Sequence, residues 1–154
     1  MKNYPEIAIQ QQPNRYACYP TCISILTSIP LEKLFEILGH DGSDNDGFRY
    51  DEVALATLIL GWSLICLSEY NFSSLTQILN DNNLTYRMIL SIKRYNHYHA
   101  VAWDGKSEHI IDPLKNNNLV RLDKIKHKIV TAEILVPIEN RKINFLNTRQ
   151  FKDL

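Results

Sequence analysis

The sequence predicts an α+β domain, with helices in its first half and an antiparallel sheet in its second. Three observations carry this. Apolar residues up to about position 60 fall in helix-like stretches. From Trp62 onward they appear in short runs that alternate with polar residues and are rich in β-branched and aromatic types. Turn signals separate those runs: Asp104-Gly105, Asp112-Pro113 and the stretch from Lys115 to Asn118.

Taken in order, residues 1–17 form an extended lead-in, where Ile7 and Ile9 alternate with polar neighbours before Gln11-Gln12-Pro13-Asn14 stops regular structure. A helix starts at Tyr19. Pro20 sits in its first turn, where a missing N–H costs nothing, so Cys18 lies at the helix N-terminus. A second helix starts near Pro30, shows Leu31, Leu34, Phe35 and Leu38 on one face, and stops at Gly39. Residues 40–47 are a loop. A third helix runs from about Arg49 to Leu60 and stops at Gly61. Trp62–Leu67 reads as a strand and Phe72–Asn80 as a short helix. Strands follow at Leu84–Ile92, Tyr98–Trp103, His109–Ile111, Leu119–Leu122 and Thr131–Ile138. The reading is of one domain over residues 1–138 with a polar tail over 139–154, and no internal repeat.

The 154 residues carry zero formal net charge, so nothing pulls the chain toward nucleic acid or anionic membranes. No stretch is long and apolar enough for a membrane span, and the start lacks the apolar run of a secretory signal. The expected location is cytoplasmic, with export into a host or neighbouring cell by a route without a cleavable signal left open. The oligomeric state is left open as well. Three cysteines, Cys18, Cys22 and Cys66, are too few and too odd for a disulfide scaffold. Cys22 and Cys66, set among apolar residues, are expected in the core.

The chemistry gathers around Cys18. A thiol is a useful nucleophile as thiolate, and both a helix N-terminus and a neighbouring imidazolium lower its pKa. His99 and its rival His97, on one predicted strand, supply the imidazolium. A hairpin turning at Asp104-Gly105 brings Asp112 near the start of that strand, where a carboxylate orients the base. The loop residues Asp41, Ser43, Asn45 and Glu52 match calcium-loop spacing, but Asp46 stands where the glycine belongs and Gly47 is one late. A solvated turn is the better reading. No metal or organic cofactor is expected.

These residues carry a resemblance. Gln12 precedes Cys18 by the spacing of the oxyanion glutamine in papain-like cysteine proteases. The run Cys18-Tyr19-Pro20-Thr21-Cys22 resembles the Cys-Gly-x-x-Cys run of bacteriocin-processing, double-glycine leader peptidase domains. His99-Ala100-Val101-Ala102-Trp103 and Ile110-Ile111-Asp112-Pro113 are similar to that family's His and Asp-Pro strands. Gly47-Phe48 and Gly61 look like its middle segment. The likeness spans roughly residues 7–114. It implies a papain-like fold, a Cys18-His99-Asp112 triad, Gln12 (rather than Gln11) as a solvent-facing oxyanion donor, and a protein or peptide substrate. Tyr19 stands where the family has glycine, which makes it a candidate substrate-binding residue shaping the acyl pocket. The implied reaction is cleavage of a peptide or isopeptide amide through a Cys18 thioester. Glutamine deamidation, as in related bacterial effectors, and a catalytically idle binding module are the alternatives.

Overall fold

The computed structural model describes residues 4–44, 46–67, 86–114, 119–121, 124 and 128–138. It contains helices α1 (Cys18–Thr27), α2 (Leu31–Leu38) and α3 (Tyr50–Ile59), then strands β1 (Trp62–Cys66), β2 (Arg87–Arg94), β3 (His97–Asp104), β4 (His109–Ile111), β5 (Leu119–Arg121) and β6 (Ile129–Pro137). The strands form one six-stranded sheet in the order β1-β6-β2-β3-β4-β5, and each neighbouring pair is antiparallel. The α+β class is as the sequence predicts. The short helix read at 72–80 and the tail at 139–154 lie outside the described residues.

Helix α1 is buried all round, from Pro20 to Thr27. Such a helix must satisfy its own polar groups. Thr21 and Thr27 donate their hydroxyls to the carbonyls of Ala17 and Ile23 one turn back, at 2.6 and 2.7 Å. Ser24 donates to Ile29 O at 2.5 Å. The chain then leaves through a left-handed Ser28 (φ 58°). Helix α2 begins one residue later than read, with Pro30 just outside it.

The sheet buries both faces. Toward the helices, Cys22, Ile23, Ile25, Leu26, Leu34 and Val53 pack with Ile89, Ala100, Ala102, Ile111 and Leu135. Met88, Leu90, Ile92, Val101 and Trp103 form a second cluster with Ile110, Ile129 and Ala132. Consecutive residues of β2 thus serve opposite faces, as the pleat requires. Ile25 and Leu26 are fully buried, so truncating either to alanine costs about 2–5 kcal/mol. Ala100 and Ala102 are small, and α1 packs across β3 at these positions. Among the described residues no helix is long and apolar enough to cross a membrane.

Candidate active site

Cys18 is the first residue of α1. The loop before it is built by Asn14. Its Oδ1 accepts from the Tyr16 N–H at 2.8 Å, its carbonyl accepts from Ala17 N, and its amide donates to Asp41 O at 3.1 Å. This local Asx turn starts the helix without a side-chain cap. No acidic residue stands in the first turn of α1, so no carboxylate competes there for the positive end of the helix dipole. Helix α3 is the reverse. Asp51 and Glu52 occupy its first turn, and Glu52 accepts from the Arg49 N–H at 2.5 Å.

The His99 ring lies beside the Cys18 thiol and interacts with it. Its Nε2 faces Asp112 Oδ1 at 2.7 Å, which leaves Nδ1 for the sulfur. Burial of the thiol opposes ionisation. Hydrogen bonds from His99 and from the Ala100 and Tyr19 backbone, with the charge on His99, outweigh that, so Cys18 titrates below its ordinary value. Burial likewise opposes the imidazolium, but hydrogen bonds to Asp112 and Cys18 lift His99 above its ordinary value. The two shifts widen the pH range in which thiolate and imidazolium coexist. His97 also lies on β3, but its side is exposed toward the cleft, whereas His99 is buried. Tyr95 and Asn96 connect the hairpin, and Arg94 pairs with His97.

Asp112 is buried and fully engaged. Oδ1 accepts from His99 and from the Leu114 N–H at 3.0 Å, and Oδ2 accepts from the Arg94 guanidinium at 2.5 Å. Burial alone would raise its pKa, but these donors, His99 first, hold it well below the usual carboxylate range. The Leu114 contact is the Asx turn expected of Asp112-Pro113. One side chain therefore both meets the His99 ring and opens a turn.

Gln12 lies beside this group. Its backbone N–H donates to Pro113 O at 2.9 Å, and its Nε2 donates to Asn14 O at 2.7 Å. Nε2 keeps a second hydrogen beyond that bond. Gln12 is buried, with 7% exposure, not solvent-facing as the sequence suggested. Neighbouring Gln11 is exposed. The lead-in is pinned to the Asp112 loop through its backbone, and that contact carries the amide inward.

Gln12, Cys18, Tyr19 and His99 all line one cleft of about 800 Å³, with Tyr16, Tyr98 and Phe48 on its walls. Asp46, Gly47 and Phe48 contribute a wall. Phe48 stacks on His40 at 4.8 Å, and its ring lies where a Cβ at Gly42 would stand, only 2.5 Å away. Gly42, at φ 84°, is therefore required by both space and backbone. The carboxylates of this loop and of the first turn of α3 find partners close by. Asp41 Oδ1 accepts from the Ser43 N–H at 3.0 Å, and Glu52 Oε2 lies 3.4 Å from His40 Nε2.

Besides Gln12, three sites differ from the sequence reading or escaped it. Cys22 is core as expected, but Cys66, at the end of edge strand β1, is exposed. The apolar run around it says nothing of a strand end at a sheet edge. Arg94 escaped notice because its contact with Asp112 spans the hairpin and the next strand, and no linear spacing encodes that. Glu133 escaped too. A signal was present, an acidic residue inside the apolar run from Ile129 to Val136.

No family model matches the chain, and no curated protein matches it. Among solved structures its fold is shared by the peptidase domain of Streptococcus ComA, a bi-functional ABC transporter involved in a quorum-sensing pathway. The TM-score is 0.59 at 16% identity, over 86% of this chain and 99% of that one. At that identity the likeness is one of fold. It bears out the papain-like α+β architecture and the resemblance to a peptidase domain read from the sequence.

Proposed function

We propose that this chain is a cysteine hydrolase that cleaves a peptide or isopeptide amide. The observation that carries the reading is His99 bridging a thiol at a bare helix N-terminus and a buried carboxylate, at the floor of an open cleft. The fold it shares with a peptidase domain supports the same reading.

Each group then has one task. Cys18 Sγ, as thiolate, attacks the amide carbon. The carbonyl oxygen gains the negative charge. It is met by the free Nε2 hydrogen of Gln12 and the Cys18 N–H, since first-turn amides of a helix have no intrahelical partner. His99, cationic in the pair, gives its proton to the departing nitrogen as the C–N bond breaks. The thioester remains. His99, now neutral, takes a proton from water, whose oxygen attacks the thioester carbon. The C–S bond breaks and the ion pair re-forms. Asp112 holds the imidazole and stabilises its charge throughout, and Arg94 holds Asp112.

The test is digestion of a diverse peptide mixture read by mass spectrometry, with ammonia measured in parallel. New termini made by the native chain and absent with Cys18→Ala are the expected result. Ammonia without new termini moves the reaction to glutamine deamidation. Neither product, with a Cys18 that resists alkylation until unfolding, leaves an idle binding module.

A further inference from the structure

A second cavity, of about 320 Å³, opens beside the cleft and shares Tyr19, Phe48 and Ser91 with it. Its described lining adds Arg49, Tyr50, Cys66, Thr131 and Glu133. The sheet register explains its chemistry. Glu133 pairs with Ile89 on one side and Cys66 on the other, and Ser91 pairs with Thr131. Cross-strand partners share a face, and Ile89 belongs to the helix-side core. Glu133 therefore stands on the helix side of β6, among apolar residues, where a carboxylate has no structural reason to be.

Its hydrogen bonding is half complete. Thr131 Oγ1 donates to Glu133 Oε1 at 2.8 Å. Oε2 is buried with no partner, and so is the Tyr19 hydroxyl. Glu133 itself is 97% buried (3% exposed). A buried acceptor without a donor is costly, and two unpartnered polar groups in one cavity describe a site awaiting a donor from outside.

We infer that this side pocket is a specificity subsite of the cleft that takes a basic side chain of the substrate, its cationic nitrogen donating to Glu133 Oε2 beside the Tyr19 hydroxyl. The inference rests on the hydrolase reading for what enters the cleft. Charge favours a cation over a neutral donor. Arg49 is the one basic residue in the described lining, and both its Nε (3.0 Å) and a terminal nitrogen (2.7 Å) are spent on Asp51. The Tyr19 and Phe48 rings offer apolar and π surface to the methylene stem and head of such a side chain, and the volume fits one side chain. Tyr19, in the position after the nucleophile, thereby separates the reacting thiol from the pocket that selects the substrate.

Occupancy depends on pH with a definite sign. Burial pushes the empty Glu133 carboxyl up to about 7, against weaker pulls from the Thr131 hydroxyl and the backbone N–H of Glu133 itself. The groups facing it are Tyr19 from α1, Arg49 and Tyr50 from the start of α3, Cys66 from β1, Ser91 from β2 and Thr131 on β6. An arriving cation stabilises the carboxylate and expels its proton, so binding strengthens as pH rises through about 7.

The test has two arms. In the first, n-butylammonium and n-butanol are compared at equal concentration and ionic strength, near pH 8, by thermal unfolding. The ammonium should raise the midpoint of the wild-type chain by about 2–4 °C more than the alcohol, and this excess should vanish in Glu133→Gln. Equal effects of the two probes, or an excess that persists in Glu133→Gln, overturn the inference. In the second arm, short peptidyl chloromethyl ketones carrying Lys or norleucine at successive positions alkylate Cys18, each rate divided by that protein's rate with iodoacetamide. One position should show a Lys preference of about tenfold or more in wild type, lost in Glu133→Gln. No Lys preference at any position overturns it. Should Glu133→Gln fail to fold, Glu133→Asp serves, since the shortened arm should cut the ammonium shift. A Cys18 inert to iodoacetamide defeats the hydrolase reading instead, while the first arm still decides the pocket.

Discussion

Asp112, one residue past β4, and Glu133, on β6, are both buried carboxyl groups, yet their pKa values are shifted in opposite directions. Asp112 accepts from a histidine, an arginine and a backbone amide and is held ionised, far below the usual range. Glu133 has a threonine hydroxyl and its own backbone N–H for company and is pushed up to about 7. Burial alone favours the neutral acid in both. Donors decide the outcome. A carboxylate whose partners are all present orients something already in the protein. One whose partner is missing is placed to meet something that arrives.

The largest effect should come from converting the first into a neutral group. Asp112→Asn keeps the shape but loses the charge that holds His99, and turnover should fall by up to about 10⁴-fold with circular dichroism unchanged. A loss within threefold would erase the contrast and reduce Asp112 to an anchor for Arg94. Gln12→Ala comes next. It removes the proposed oxyanion donor and should cost on the order of 10²–10³ in turnover, while alkylation of Cys18 by iodoacetamide, which forms no oxyanion, stays fast. Because Gln12 is buried with its Oε1 unpartnered, this variant should also shift the unfolding midpoint, unlike Gln11→Ala on the exposed neighbour.

The third prediction sharpens the comparison through stability. The native Glu133 carboxyl binds its proton up to about pH 7, the unfolded one only to about 4.5. Between those values the native state holds a proton the unfolded state has released. The Glu133 contribution to stability therefore falls as pH rises across the window, by about 3 kcal/mol in all. Asp112 has the opposite sign. Its contribution is present above the ordinary carboxylate range and is lost as pH falls through its depressed native pKa. Chemical denaturation at pH 4.5 and pH 8 should show Glu133→Gln gaining on wild type at the higher pH. An equal difference at both would mean that Glu133 ionises normally.

The smallest effect is expected at Arg94. Arg94→Gln frees Asp112 Oδ2, so Asp112 takes up protons at higher pH than in wild type. The rate should fall about tenfold or less, and the acid limb of the pH–rate profile should move up. A lower rate with the limb unmoved would make Arg94 a purely structural tie.

Much of this was legible in the sequence for local reasons. Pro20 two residues after Cys18 marks a helix start, Gly39 and Gly61 mark helix stops, and both adopt positive φ. Alternation in Tyr98–Trp103 and Thr131–Ile138 locates strands to within two residues of β3 and β6. Hairpin logic around Asp104-Gly105 brings Asp112 to His99. The misses share a cause. The burial of Gln12, the exposure of Cys66, the clamp from Arg94 and the half-bonded Glu133 each depend on contacts between segments far apart in the chain.

The sequence by itself determined the order of elements, the thiol at a helix start, and the His and Asp-Pro pair on adjacent strands, because periodicity, turn residues and short hairpins act over a few residues. Only the tertiary structure decided the sheet order that inserts β6 between β1 and β2. That insertion sets Glu133 between Cys66 and Ile89 under the Tyr19 and Phe48 rings. A carboxyl group's state follows from the donors and the water around it. Those neighbours are assembled by packing, and the chain's linear order does not contain them.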